Sequence, residues 1–164
     1  MYKQPCRLLV VEDDVALAEL LVEHLQGFDY SVEICHDGKT ALDLLEHKKF
    51  DLILSDIMLP DISGLLILQT ELKETTSDPM QTMVILMTGF SDIGDAIDFV
   101  DQGVYDIIYK PFQFPVMRLR LDNAVRYQRL LRLYMRDVTR DMPDAEIARI
   151  SGPMAVRAYD VLGT

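Results

Sequence analysis

Residues 52–64 read LILSDIMLPDISG, and this stretch decides the fold. Its apolar beginning, residues 52–55, runs directly into turn-forming residues such as Pro60 and Gly64. A short apolar run bounded in this way predicts a buried strand of a parallel sheet. In such sheets, ligands and chemistry collect just beyond the carboxyl ends of the strands. Asp56 lies at that position, so the sequence points to this carboxylate as the centre of a site.

Strand-like and helix-like patterns alternate on both sides of this stretch, which is typical of a parallel sheet with helices on both faces. We predict strands at residues 8–11, 31–35, 52–55, 83–87 and 107–109. We predict helices at residues 15–26, 40–47, 64–72 and 93–102, and a longer one from Phe114 to about Arg140. The expected fold class is therefore α/β, a doubly wound five-stranded parallel sheet with an extended C-terminal helix.

Composition and charge narrow the class of protein. The first 126 residues hold 22 of the 27 acidic residues but only 10 of the 16 basic ones, and the net charge of the chain is −11. The excess of negative charge in these 126 residues repels nucleic acid, so we do not expect direct DNA binding. The apolar runs are far shorter than the roughly 20 residues of a membrane-spanning helix, so we expect no membrane association. Cys6 and Cys35 form no disulfide framework, which favours a reduced cytoplasmic setting.

Polar residues follow three further predicted strands. Glu12 and Asp13 come after the first strand, Thr88 after the fourth and Lys110 after the fifth. Taken singly, each residue has an ordinary structural interpretation, such as a helix cap or a turn. Because the carboxyl ends of parallel strands meet at one edge of a sheet, we expect all of them to converge with Asp56.

The chemistry of this set favours phosphoryl transfer to Asp56. A phosphoryl group approaching a carboxylate needs cations that cancel charge repulsion. Mg²⁺ prefers oxygen ligands, which Asp13 and Asp56 can supply, with Glu12 close enough to orient a metal-bound water. Lys110 can place a compact positive charge on a phosphoryl oxygen, and Thr88 can donate a hydrogen bond to another.

The chain resembles the response-regulator receiver domains of two-component signalling. The matching pieces cover about residues 6–126 and read LVVEDD at 9–14, DIMLP at 56–60 with Gly64, MTG at 87–89 and KPF at 110–112. The resemblance implies a flavodoxin-like fold in which Asp56 accepts a phosphoryl group from a sensor histidine kinase or a phosphotransfer protein. It also implies that Mg²⁺ is held by Asp13, Asp56 and the Met58 carbonyl, with Glu12 as the outer acid. The bond from Lys110 to Pro111 is expected to be cis.

One position departs from the family pattern. Ile107 occupies the place, three residues before the lysine, where receivers usually carry an aromatic side chain whose rotation is coupled to the threonine. The tyrosines lie instead at Tyr105 and Tyr109. An isoleucine has no polar tip to move between buried and exposed positions, so the sequence does not predict the usual aromatic readout.

Two other functional classes are weighed against the phosphorylated switch. A phosphatase that passes through an aspartyl phosphate needs a second acid two residues after the nucleophile, and that place is occupied by Met58. We therefore disfavour an enzyme and expect phosphoryl turnover at Asp56 only. A receiver-shaped interaction or dimerisation module would never take phosphate, and Mg²⁺-dependent labelling separates this alternative from the switch.

The C-terminal part is interpreted as a helical extension. We divide the chain into a receiver domain at 1–126 and an extension at 127–164 that serves as a connector or dimerisation element. An apolar stripe is predicted on the long helix, beyond the part that covers the sheet, and it comprises Tyr127, Leu130, Leu131, Tyr134 and Val138. An apolar stripe exposed to solvent is stabilised when it packs against another apolar surface, so we expect a homodimer through residues 127–138. Residues 147–162 could instead fold back over it. The faint helix–turn–helix pattern at residues 144–162 lacks a domain's core.

Overall fold

Five parallel strands form one sheet in the computed structural model, which describes residues 4–74, 82–89, 102–140 and 142. The strands are β1 (Cys6–Val11), β2 (Tyr30–Cys35), β3 (Leu52–Asp56), β4 (Met83–Thr88) and β5 (Asp106–Tyr109). Their order across the sheet is β2-β1-β3-β4-β5, with every neighbouring pair parallel. The strand order reverses direction at β1, so a crevice is expected beyond the carboxyl ends of β1 and β3.

Helices follow β1, β2, β3 and β5, as predicted. They are α1 (Val15–Leu25), α2 (Gly38–His47), α3 (Gly64–Glu74) and α4 (Phe114–Thr139). The side chain of Asp14 caps α1 and that of Asp37 caps α2, each by accepting a backbone N–H three residues later. Gly27 follows α1 with φ +86°, a conformation that favours glycine. The helix predicted at 93–102 falls almost entirely outside the described residues.

The two faces of the sheet carry separate hydrophobic cores because alternate strand residues point to opposite sides. On one face, Leu9, Ile53 and Leu86 pack against α2 and α3. On the other face, Leu8 and Leu54 belong to a core that includes residues of α1 and α4. This arrangement confirms the doubly wound α/β fold. In the described part of the chain, no helix combines the length and apolarity needed to cross a membrane.

The long helix α4 divides the predicted apolar stripe between core and solvent. Tyr127 and Leu131 pack against the core that α4 shares with α1, whereas Leu130 and Tyr134 are 64% and 61% exposed. The prediction that the whole stripe lies beyond the sheet is therefore wrong. At 1.5 Å per residue, a helix of 26 residues is about 39 Å long and extends past the amino ends of the strands. Met135, in the last turns of the helix, is buried.

Polar contacts continue this docking beyond residue 126. The Gln128 side chain donates to the Asp51 carbonyl at 2.8 Å, and Arg132 Nη2 donates to Asp51 Oδ1 at 2.8 Å. Asp51 immediately precedes β3, so the second half of α4 is fixed to the amino end of the central strand.

Candidate functional site: an acidic pocket at the carboxyl edge of the sheet

Three carboxylates converge where β1 and β3 end. Val11 pairs with Ser55 across the two strands, which places Glu12 and Asp13 beside Asp56 in the next positions. One carboxylate oxygen from each of these three acids lies within 4.8 Å of the others. Glu12 and Asp56 are buried and Asp13 is exposed. The sequence therefore identified an acidic cluster that the fold does assemble.

Lys110 joins two of these carboxylates. Its Nζ lies 2.6 Å from Glu12 Oε2 and 2.5 Å from Asp56 Oδ2. Lys110 directly follows β5, and its backbone N–H donates to the Thr88 carbonyl at 2.7 Å. The peptide bond from Lys110 to Pro111 is cis, as expected. Burial acts to lower the pKa of Lys110, but its hydrogen bonds with Asp56 and Glu12 outweigh burial and raise it, so the side chain stays cationic.

Negative charge exceeds positive charge in this pocket. Burial raises the pKa of Glu12 above its ordinary value, and the hydrogen bond from Lys110 only partly opposes this rise. Three carboxylates facing one ammonium leave an excess of two negative charges when all are ionised. A divalent cation with a preference for oxygen ligands balances this excess, so the residues present fit Mg²⁺. Glu12, Asp13 and Asp56 each offer a carboxylate oxygen to such an ion.

The orientation of Asp56 is fixed by the chain that follows it. The Met58 backbone N–H donates to Asp56 Oδ1 at 2.8 Å, while the Met58 side chain is largely exposed. Gly64 lies against the strand end so closely that a Cβ there would sit 2.1 Å from the Asp56 carbonyl oxygen. Only glycine fits at this point, which explains why the turn after the aspartate ends on Gly64.

Thr88 lies at the same edge of the sheet, at the end of β4. The residue before it, Met87, pairs with Asp56 across β3 and β4. Thr88 therefore lies one residue further toward the carboxyl edge of the sheet than Asp56, the candidate phosphoacceptor. Its side chain is buried, and its hydroxyl donates to the Gly89 carbonyl at 3.2 Å. All residues that the sequence assigned to the site thus meet at one edge of the sheet.

Two side chains near the pocket were not expected from the sequence. His36 Nδ1 lies 2.9 Å from the Glu12 carbonyl oxygen and, in the tautomer with hydrogen on that nitrogen, donates to it. Asp61 accepts hydrogen bonds from the backbone N–H groups of Gly38 and Lys39 at the start of α2. A solitary histidine and an aspartate that follows a proline carry no local signal for such distant contacts.

The position of the missing aromatic residue is occupied by a packing side chain. Ile107 is buried within the core formed with α2 and α3. Tyr105 lies on the other face, with its ring centroid 5.6 Å from that of Tyr127 on α4, and Tyr109 is 39% exposed. The structure therefore places an aromatic contact between the start of β5 and α4, but none at residue 107.

Comparison with known proteins agrees with this geometry. The family model described as response regulator receiver domain matches residues 8–122. The transcriptional regulatory protein ZraR of Klebsiella oxytoca is 29% identical over 151 residues, which cover 92% of this chain and 32% of that protein. The uncharacterised transcriptional regulatory protein YkoG of Bacillus subtilis is 38% identical over 119 residues, which cover 73% of this chain and 50% of that protein. The chain thus spans a third to a half of the length of these curated relatives.

Solved structures show the same fold. A CheY-like response regulator receiver domain protein from Methanospirillum hungatei aligns with a TM-score of 0.69 and 26% identity, covering 76% of this chain and 97% of that one. The signal receiver domain of an HD domain-containing protein from Pseudomonas fluorescens aligns with a TM-score of 0.71 and 25% identity, covering 80% and 95%. With its acidic pocket, its lysine at the end of β5 and its match over residues 8–122, the chain belongs to the response-regulator receiver domain family.

Proposed function

We propose that the chain is a phosphorylation-controlled switch that accepts a phosphoryl group on Asp56 in the presence of Mg²⁺. The donor is a phosphohistidine of a sensor kinase or a phosphotransfer protein, and the phosphorylated form controls an output. The observation that carries the proposal is the setting of Asp56. Its carboxylate is held between Lys110 Nζ and the Met58 N–H, beside Glu12 and Asp13.

Each residue has a distinct part in the transfer. An Asp56 carboxylate oxygen forms a bond to phosphorus while the bond from phosphorus to the donor's histidine nitrogen breaks. Bound Mg²⁺, held by Asp13, Asp56 and the Met58 carbonyl with Glu12 in the outer shell, would supply positive charge to the phosphoryl oxygens. Lys110 supplies a further charge from its place at the Asp56 carboxylate. Thr88 exchanges its hydrogen bond to the Gly89 carbonyl for one to a phosphoryl oxygen.

The rival functions lack this support. At the position of the second acid of a phosphatase lies Met58, whose side chain can neither give nor take a proton. We infer that the chain is no enzyme beyond the formation and loss of phosphate at Asp56. A module that never accepts phosphate has no need for a half-buried lysine bridging Glu12 and Asp56 beside an exposed Asp13.

The names of the relatives indicate which process the phosphorylated form controls. The curated relatives are named transcriptional regulators and are two to three times longer than the matched region. We therefore propose control of transcription in the cytoplasm, without DNA contact by this acidic chain. We also propose a homodimer through α4, which the exposed side chains of Leu130, Leu133 and Tyr134 support. The division after residue 126 stays a prediction, and the contacts of Gln128 and Arg132 favour a later boundary.

The proposed function is tested by labelling the intact chain with a small phosphodonor such as acetyl phosphate. Intact-mass measurement should show one added phosphoryl group that requires Mg²⁺ and is lost in Asp56→Asn. Asp51→Asn is the matched control, because it makes the same change at the other end of the same strand and should label like the wild type. Equal labelling of Asp56→Asn would disprove the assignment of the phosphoacceptor. A wild type that takes no phosphate from phosphodonor or kinase would favour the alternative function, a receiver-shaped interaction module that never accepts phosphate.

A further inference from the structure

The turn between β3 and α3 is held against the amino end of α2. Asp61 Oδ1 accepts the Gly38 N–H at 2.9 Å, and Asp61 Oδ2 accepts the Lys39 N–H at 2.8 Å. The first N–H groups of a helix have no acceptor within the helix and need one from elsewhere. Asp37 satisfies a third group, the Thr40 N–H, at 2.8 Å. Two of the three acceptor contacts thus come from a segment more than twenty residues away.

Side-chain packing reinforces these hydrogen bonds. Gly38 is buried, and a Cβ at that position would lie 2.2 Å from Ile62 Cγ1. Ile62 therefore rests directly on the backbone at the start of α2. Ile62 and Leu59 also pack against the core that α2 and α3 share. Movement of the turn away from α2 would break two hydrogen bonds and expose apolar surface.

The same turn carries the residue assigned to the metal. Met58 and Ser63 form an isolated β-bridge across it, and the Met58 N–H is bonded to Asp56 Oδ1. The Gly64 N–H donates to the Ile57 carbonyl at 3.0 Å, which closes the turn at its base. The turn is consequently fixed at Asp56 on one side and at α2, through Asp61, on the other.

We propose that Asp61 is a positioning residue, whose clamp on the amino end of α2 sets the turn from which Met58 offers its carbonyl to Mg²⁺. This proposal rests on the proposed function because it takes Mg²⁺ as the metal at the site. It does not require that Asp56 is phosphorylated. Partners that orient metal ligands typically change metal affinity by 10- to 100-fold when they are removed. Because Asp61 acts through the backbone of a short turn, we place its effect at the lower end of that range.

The test is Mg²⁺ binding to the full chain by isothermal titration calorimetry, with no phosphodonor present. Asp61→Ala should weaken Mg²⁺ binding about tenfold. Asp61→Asn keeps one acceptor oxygen and should fall between Asp61→Ala and the wild type. Asp37→Ala is the matched control, since it removes one negative charge and one acceptor from the same helix end without touching the turn. It should bind Mg²⁺ like the wild type.

Hydrogen exchange supplies a readout of the clamp itself. In the wild type, Mg²⁺ should slow exchange of the Gly38 and Lys39 amides, because metal binding at one side of the turn stiffens the other. In Asp61→Ala these amides should exchange faster, with no response to Mg²⁺. Labelling of Asp61→Ala at saturating Mg²⁺ should approach the wild-type rate, which separates weakened metal binding from a damaged phosphoacceptor.

The results distinguish failure of this proposal from failure of the proposed function. Wild-type Mg²⁺ affinity in Asp61→Ala overturns the clamp, and so does equal weakening in Asp37→Ala, which would mark a general effect of charge or helix capping. If the wild type binds Mg²⁺ with the predicted dependence on Asp61 yet never takes phosphate at Asp56, the clamp stands and the proposed function fails.

Discussion

The central strand β3 has an aspartate at each end, and the two are used differently. Asp51, just before the strand, accepts hydrogen bonds from the Arg7 backbone N–H at 2.9 Å and from Arg132 Nη2 at 2.8 Å. Asp56, the last residue of the strand, accepts one from Lys110 Nζ at 2.5 Å. Each is a largely buried carboxylate in contact with a cationic side chain, and in the sequence the two differ in lying at opposite ends of the strand.

The difference lies in the balance of charge. At the amino end, one carboxylate faces two guanidinium groups, with Arg7 Nε at 3.5 Å and Arg132 at 2.8 Å. Burial acts to raise the pKa of Asp51, but the hydrogen bonds from Arg132 and the Arg7 N–H outweigh it and hold the pKa below its ordinary value. At the carboxyl end, three carboxylates face the single ammonium of Lys110. The amino end is neutralised and structural, whereas the carboxyl end stays short of positive charge and open to a cation.

The largest effect should come from removing the half of α4 that is anchored at Asp51. A chain ending at Arg126 loses the packing of Leu131 on the core and the hydrogen bond from Gln128, which together cost about 3–4 kcal/mol of unfolding free energy. A chain ending at Arg140 keeps both and is the matched control. Urea unfolding of the two shortened chains measures the difference. Equal stabilities would mean that the amino end of the sheet does not hold α4.

An intermediate effect should come from Mg²⁺ at the other end of the strand. Binding to the folded state at 100 times Kd raises the unfolding free energy by about 2.7 kcal/mol. Asp13→Ala should remove most of this gain, because it takes one proposed ligand away, whereas Asp51→Asn should keep it. Thermal unfolding with and without Mg²⁺ measures the response. An unchanged response in Asp13→Ala would place the metal elsewhere.

The smallest effect should come from neutralising Asp51. Asp51→Asn keeps the shape but loses the charge that faces Arg132, and we expect a loss of about 1–2 kcal/mol, since hydrogen bonds to charged groups are strong but this pair is partly exposed. Because the folded-state pKa of Asp51 is depressed, its contribution is present above the ordinary value of 3.8 and is lost as the pH falls through the folded-state pKa.

The difference in unfolding free energy between wild type and Asp51→Asn should therefore hold constant near neutral pH and shrink below about pH 4. Urea unfolding at a series of pH values measures it. A difference that stays undiminished throughout the acid range would show that Asp51 acts by packing and not by charge.

Much of the site could be predicted because each of its residues follows a strand. Asp56, Thr88 and Lys110 come directly at or after apolar runs, and parallel strands bring such positions to one edge. A local rule also accounts for Asp14, an acid directly before a helical pattern, whose carboxylate accepts the Leu17 N–H at the start of α1. The clamp from Asp61 to α2 was not predicted, since hydrogen bonds between segments that are distant in sequence leave no periodic or motif signal.

The extension was predicted only in part for a related reason. The helical period located the apolar residues of α4 correctly, but it does not state which of them the domain covers. That depends on how far the helix runs past the sheet and how it is rotated about its axis. The packing of Tyr127 and Leu131 on the core and the hydrogen bond from Gln128 to Asp51 settle both, and they leave Leu130 and Tyr134 outside.

By itself, the sequence determined the α/β alternation, the five parallel strands and the set of polar residues at their carboxyl ends, because these follow from hydrophobic period and from turn residues after each strand. Only the tertiary structure decided how the charge of each of the two aspartates at the ends of β3 is balanced. That balance depends on Arg132, which is 81 residues from Asp51, and on Lys110, which is 54 residues from Asp56. Charge balance at a buried carboxylate is set by neighbours in space, and these come from the packing of the whole sheet with its last helix.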